Sequence, residues 1–285
     1  MTPTIPQSPA AQAASYHPTA LISGGSSGIG LELAKLFARD GYRLVLVAHN
    51  EAKLAAAAGQ LRASYGVDVR TVSQDLSVAG AAQQVADQVV QLGIAQVDAL
   101  VNDAGFGLIG RFVDLDWNKQ HEMLTTNIDA LCELSYIYGA QMAGRRNGHI
   151  LNVASIAAFM PGPYMAVYYA SKAFVESFSQ ALYAELRPYG VRVSVVCPPP
   201  AKTQFFTRAG YGAKSLFQYA AMSPQAVARA GYRALKMGRA QCSPGVFTKV
   251  TELFARAVPI SVMRTIIAAL QNPTMADAHD ARGAK

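Results

Sequence analysis

Six short apolar runs, TALIS, YRLVLVA, VDVRTVS, VDALVN, GHILNVAS and VRVSVVC, alternate with amphipathic stretches near 28–39, 51–64, 80–92, 116–143 and 164–187. This alternation constrains the chain more than any other feature. Strand-length runs separated by helix-length ones are too far apart for tight hairpins, so they pair in parallel, through right-handed crossovers that place helices on both faces. The expected fold class is α/β: a doubly wound parallel sheet in three layers. At 285 residues, one such domain accounts for the core without a second.

Between the first run and the amphipathic LELAKLFARD lies Ser23-Gly24-Gly25-Ser26-Ser27-Gly28-Ile29-Gly30. Glycine at 24, 28 and 30 permits positive φ and close backbone approach, and a helix starting near Gly28 aims N–H groups and its positive dipole end at an anion. Glycine-rich turns also occur with no ligand. The strand before and the helix after are the context that makes this one a Rossmann-type dinucleotide site, with a pyrophosphate at the helix start. In such sheets ligands bind beyond the carboxyl ends of the strands. Ser23, Asp75, Asn102 and Ser155 fall there, after the first, third, fourth and fifth runs.

In YMAVYYASKAF, Tyr168 and Lys172 are four residues apart, one turn along one face if 164–187 is helical. A phenol, with a pKa of about 10, needs a fixed positive charge nearby to act as a proton donor at neutral pH. Lys172 supplies it. Tyr169, three residues before Lys172, shares that face, and spacing alone leaves the choice of tyrosine open. Ser155 could cap a strand end, and Asn127 could satisfy a kink within 116–143.

Taken together these motifs resemble the short-chain dehydrogenase/reductase family, over about Thr19 to Thr203. SGGSSGIG resembles its TGxxxGIG, and Asn102-Asp103-Ala104-Gly105 its NNAG, with Asp for the second Asn. Pro198-Pro199-Pro200-Ala201-Lys202-Thr203 resembles its PG-x-x-x-T stretch, with Pro199 where Gly is usual. The resemblance implies that Asn127, Ser155, Tyr168 and Lys172 are a catalytic tetrad, in which Tyr168 is the acid, Ser155 binds the same substrate oxygen, Lys172 also holds the nicotinamide ribose and Asn127 anchors a water. It further implies that Ser23, Gly24, Ser26, Ser27, Gly28, Ile29, Gly30, Asn102, Ala104, Gly105, Pro198 and Thr203 surround the cofactor, and that Asp75 and Leu76 meet its adenine. A substrate lid over about 203–222 and a homodimer or homotetramer built on 116–143 and 164–187 are likewise implied.

The second strand ends Leu46-Val47-Ala48-His49-Asn50. An acid there would accept from a ribose 2′-OH and repel a 2′-phosphate. Ala48 removes that repulsion, His49 offers a partly charged donor, and Asn50 reads as a cap that turns Glu51 into the next helix. NADP(H) is therefore expected over NAD(H).

The ends, 1–18 and 273–285, read as tails around a domain spanning 19–272, and no secretory signal pattern opens the chain. Ala257 to Leu270 is short for a span and carries Arg264, so no membrane contact is expected. Cys132, Cys197 and Cys242 suit reduced thiols and a cytoplasmic setting; no metal-ligand spacing appears. Basic residues behind the net charge of +7 are dispersed, which argues for a solvated surface and not for nucleic acid. Apolar segments from GRAQCS through Leu270 are expected to complete the sheet edge and a subunit interface. The expected activity is reduction of a ketone or aldehyde, lipophilic given the aromatic residues after Thr203, or oxidation of the corresponding alcohol. The alternatives are a β-ketoacyl thioester reductase and a non-catalytic NADP(H)-binding sensor or scaffold.

Overall fold

The computed structural model describes residues 16–203 and 221–271. Its sheet has seven parallel strands in the order β3-β2-β1-β4-β5-β6-β7. They are β1 (Thr19–Ser23), β2 (Arg43–Ala48), β3 (Val69–Ser73), β4 (Ala99–Asn102), β5 (Gly148–Val153), β6 (Val191–Val196) and β7 (Gln241–Cys242). The first six coincide with the six apolar runs, and GRAQCS supplies β7 at the edge.

Those runs are apolar throughout because both faces are covered. Ile22, Leu44, Leu46 and Val101 face one layer, made by α1 (Gly28–Arg39), α2 (Glu51–Tyr65) and α7 (Pro224–Lys236). Leu21, Val45, Val47 and Leu100, the alternate residues, face the other. That layer comprises α3 (Ala81–Gln91), α5 (Ala130–Arg145) and the last turns of α6 (Ala166–Leu186). The period-2 alternation is visible only in where the side chains go, since both sets are fully buried.

Local chemistry sets the helix starts. Asn50 Oδ1 accepts from the Lys53 N–H at 2.9 Å, capping α2, and Ser223 caps α7 with Pro224 in its first turn. The stretch 116–143 departs from expectation. It is α4 (Trp117–Leu124) and α5 separated by a π-turn at Thr125–Asp129. One extra residue per turn rotates Asn127 inward, where it is buried and bonds main chain from another segment.

Pro18 is tied to the sheet just ahead of β1, because the Arg43 N–H donates to its carbonyl at 2.8 Å. The tails over 1–15 and 273–285 lie outside the described residues, as does 204–220 of the expected lid. Its two ends are pinned together: Met222 donates to the Pro200 carbonyl at 2.8 Å and Lys202 to the Met222 carbonyl at 3.0 Å. The last two helices, α8 (Val246–Ala257) and α9 (Ile260–Gln271), do not extend the sheet; they roof its carboxyl end.

A buried polar chain crosses the sheet beneath that end. Asn102 Nδ2 donates to Ser135 Oγ at 3.0 Å and to Asn152 Oδ1 at 2.9 Å, and Asn152 Nδ2 donates to Ser179 Oγ at 2.9 Å. Asn152→Ala removes one acceptor and one donor from this fully buried run and is expected to cost about 1–3 kcal/mol per group left unpartnered. Urea unfolding measures it; an unchanged midpoint would show that the chain does not depend on this link.

Candidate active site

At the carboxyl ends of β1, β4, β5 and β6 lies a cleft of about 400 Å³. The glycine turn forms one wall. Gly24 and Gly28 take positive φ, at 71° and 59°, and a Cβ at Gly30 would stand 2.5 Å from the Gly24 carbonyl oxygen. The turn thus folds back on itself as only glycine allows. Ser27 precedes α1 without capping it through its side chain, leaving the first turn of the helix directed at the cleft.

Ser23 is bonded within the protein. Its buried hydroxyl accepts from the N–H groups of Asp103 and Ala104, at 3.2 and 3.3 Å, and so ties β1 to the loop after β4. Asn102 lies beneath that loop in the polar chain described above. Gly105 is close to both Asn127 and Lys172: a Cβ there would lie 2.8 Å from Asn127 Oδ1 and 3.5 Å from Lys172 Nζ. Asn127 donates from Nδ2 to the Phe106 carbonyl and to Ser171 Oγ, both at 3.0 Å, and accepts the Phe106 N–H at 3.1 Å. It therefore holds the 105–106 loop against α6.

The α6 register places Tyr168 and Lys172 together, both buried and both lining the cleft. The Tyr168 hydroxyl pairs with Ser155, whose Oγ also accepts the Ala157 N–H at 3.2 Å and starts a short 3₁₀ turn. Burial pushes the Tyr168 phenol up to about 12, against the Ser155 bond, which pulls it down. Lys172 Nζ donates to the Val153 carbonyl at 2.9 Å and sits 5.9 Å from the Tyr168 ring centroid. Burial pushes its ammonium down to about 8, opposed by Asp103 and Cys197. The expected lowering of the phenol by Lys172 does not prevail: burial sets the direction, and the Ser155 bond opposes it. Tyr169 belongs to a different contact. Its hydroxyl accepts from Gln271 Nε2 of α9, and its ring meets that of Tyr168 edge-on, centroids 6.0 Å apart.

The cleft thus gathers Ser27, Gly28, Ile29, Gly105, Ser155, Tyr168, Lys172, Pro198 and Thr203. Pro199, in the place usual for glycine, lies buried in the same wall. His49, Asp75 and Leu76 lie elsewhere, past β2 and β3. Burial raises the Asp75 carboxyl, but the Ser77 N–H and hydroxyl, with the nearby His49, hold it below its ordinary value. Leu76 is packed into the core on the α3 side. Among the described residues no group of three His, Cys, Asp or Glu side chains could hold a metal ion.

Two contributors escaped the sequence reading. Asp103 lines the cleft beside Lys172. On the opposite side, Phe254, Met263 and Ile267 of α8 and α9 join Met160 and Met165 in an apolar wall. The signal was present in Met263, Ile267, Leu270 and Gln271, a helical i, i+4, i+7, i+8 stripe.

A parallel sheet with a glycine turn at its switch point, where the order reverses between β1 and β4, defines a dinucleotide-binding α/β protein. Residues 18–212 match the short chain dehydrogenase family, and the chain belongs to it. It is 34% identical over 178 residues to a very-long-chain 3-oxoacyl-CoA reductase of Laccaria bicolor, covering 61% of this chain and 52% of that one. It is also 34% identical over 194 residues to a probable oxidoreductase, EphD, of Mycobacterium tuberculosis, covering 67% of this chain and 32% of that one. The chain spans about half the length, or less, of these curated relatives. Among solved structures, a short-chain dehydrogenase from Sphingobium yanoikuyae in complex with NADPH aligns with TM-score 0.75 at 30% identity, over 85% of this chain and 96% of that one. A bulky-bulky ketone specific alcohol dehydrogenase from Comamonas testosteroni aligns with TM-score 0.70 at 26% identity, over 85% and 95%.

Gly30→Ala tests the turn. The added methyl meets backbone it cannot displace cheaply, so the expected loss is about 1–3 kcal/mol of stability. A thermal melt at the unmodified temperature would show that the turn has room to spare.

Proposed function

We propose that this protein is a nicotinamide-dependent oxidoreductase that reduces a lipophilic ketone or aldehyde, or oxidises the corresponding alcohol. The observation that carries the reading is the Tyr168–Ser155 pair with Lys172 behind it, opening onto an apolar cleft. The residues present suit the dinucleotide. The glycine turn and the start of α1 would hold its pyrophosphate, Lys172 and Asn102 to Gly105 would flank the nicotinamide half, and Asp75 and Leu76 would lie toward the adenine. When bound, the nicotinamide supplies the hydride. Ser155 Oγ orients the substrate oxygen by hydrogen bond. Tyr168 Oη gives its proton to that oxygen as negative charge builds there, and the Lys172 ammonium stabilises the phenolate left behind. The Phe254, Met263 and Ile267 wall excludes water and accepts the apolar part of the substrate.

With its phenol pushed up to about 12, Tyr168 keeps its proton at neutral pH, the state that reduction needs. Lys172, pushed down to about 8, loses its charge as pH rises through that value. Reduction is therefore expected to weaken above about pH 8. Tyr168→Phe is expected to lower kcat by about 10²–10⁴ while nucleotide binding persists, and Tyr169→Phe to be mild. Steady-state kinetics over pH 6–10, with NADPH and a panel of ketones, aldehydes and acetoacetyl thioesters, decides. A dead Tyr169 variant beside an active Tyr168 variant would transfer the acid role to Tyr169.

A second reading, a β-ketoacyl thioester reductase, is supported by the relatives named for 3-oxoacyl-CoA reduction, and the thioester arm of the panel separates it. A non-catalytic sensor is disfavoured because the serine, tyrosine and lysine are all in place. We take the protein to be a cytoplasmic homo-oligomer without nucleic-acid or membrane partners. Tyr136 on α5 and Phe174 on α6 lie exposed on the helices expected to pair, and no helix among the described residues is long and apolar enough to cross a membrane.

The proposed cofactor is NADP(H) in preference to NAD(H). Ala48 ends β2, His49 is exposed beyond it, and Asn50 caps α2 with Glu51 in its first turn, so β2 ends without the acid that would repel a 2′-phosphate. Neighbouring structures hold either nucleotide. His49 can donate a hydrogen bond to a 2′-phosphate. Ala48→Asp is expected to shift it toward NADH and His49→Arg to strengthen it. Comparing kcat/KM for both nucleotides tests this, and an NADH preference in the unmodified protein would overturn it.

A further inference from the structure

Asp103 is the one acidic side chain among the described residues lining the cleft. Its Oδ2 accepts the Gly30 N–H at 2.8 Å, in the first turn of α1, where Ser27 provides no side-chain cap. The Ser23 hydroxyl holds the Asp103 main chain in place. The protein thus sets a carboxylate of its own at the positive end of the helix. On the reading above, which this inference rests on, that is where the pyrophosphate binds. Two anions would then share one helix terminus.

The groups facing Asp103 are few. β1 offers the Ser23 hydroxyl, α1 the Gly30 N–H, and α6 the Lys172 ammonium, the one charge acting on it. Asparagine could accept the same Gly30 N–H with no charge at all. What aspartate adds is the capacity to be anionic in the empty cleft and neutral in the filled one. We propose that Asp103 takes up a proton when the dinucleotide binds, making nucleotide affinity proton-linked through the pyrophosphate end of the site.

Burial pushes the Asp103 carboxyl up to about 7, against the pull of Lys172 and the Gly30 N–H. Near neutral pH the empty cleft therefore holds both forms. A nucleotide removes the remaining water and adds negative charge, and both effects favour the protonated acid. By linkage, affinity rises as pH falls through the range between the empty-state and bound-state values and levels off below it. This component acts on any dinucleotide, with or without a 2′-phosphate.

ADP-ribose is the probe, because it carries the pyrophosphate but neither nicotinamide nor 2′-phosphate. Titration calorimetry in buffers of different ionisation enthalpy, at pH 6.5 and 8.0, reads affinity and proton count together. The unmodified protein is expected to take up a substantial fraction of a proton at pH 8.0 and to bind several-fold more weakly there than at pH 6.5. Asp103→Asn is expected to bind several-fold more tightly than the unmodified protein at pH 8.0, with a smaller proton uptake; what remains reports Lys172. Equal proton counts and equal pH dependence in both proteins would overturn the role of Asp103 and leave dinucleotide binding intact. No proton exchange in the unmodified protein would overturn it without the variant. Absence of ADP-ribose and NADPH binding at either pH would overturn the dinucleotide reading, and this inference with it.

Discussion

The carboxyl ends of β1 and β4 are stitched together by one hydroxyl, and the site is arranged around that stitch. Ser23 Oγ takes two successive N–H groups of the loop after β4, those of Asp103 and Ala104. The loop is thereby drawn over the glycine turn, and a Cβ at Gly24 would lie only 3.0 Å from the Ala104 nitrogen. Gly105 can then reach Asn127 and Lys172, which are delivered by helices from other parts of the chain. A hydroxyl is small enough to sit in the gap and has the lone pairs for both bonds. Ser23 thus does for the loop what its family counterpart, threonine, is also equipped to do.

Desolvation dominates the chemistry that follows. It raises Tyr168 and Asp103 and lowers Lys172, in each case toward the neutral form. The Lys172 ammonium bonds the Val153 carbonyl. An empty cleft is in this sense under-charged, and an anionic ligand or a developing oxyanion gives Lys172 a reason to hold its charge while it favours the neutral acid at Asp103. This is the electrostatic pattern expected where residues meet their partners only in the loaded state.

The six core strands and their order of appearance could be read from TALIS to VRVSVVC because runs covered on both faces must be apolar along their whole length. The Gly24 to Gly30 turn was equally plain, since glycine is required there by space and not by preference. The π-turn was not. Thr125-Thr126-Asn127-Ile128-Asp129 are weak helix formers that hint at a kink, but the extra residue is held by the distant Phe106 and Ser171, which no local pattern shows. The structural bonds of Ser23 and Asn102 were hidden for the same reason, because their partners lie 33 to 81 residues away. The apolar stripe of α9 was visible, but which surface it would cover depends on α8 turning back over the cleft, a tertiary fact with no local mark.

The π-turn has a consequence for how this chain can change. Each residue of an α-helix advances it by about 100° of rotation. The five residues Thr125–Asp129, wound more widely, turn the chain through nearly the angle that four α-helical residues would. Losing one of them would close the turn into regular helix and leave Leu134, Tyr138 and Met142 of α5 seated, while withdrawing Asn127 from Phe106. Deletion here is therefore a change that the fold can absorb and the site cannot.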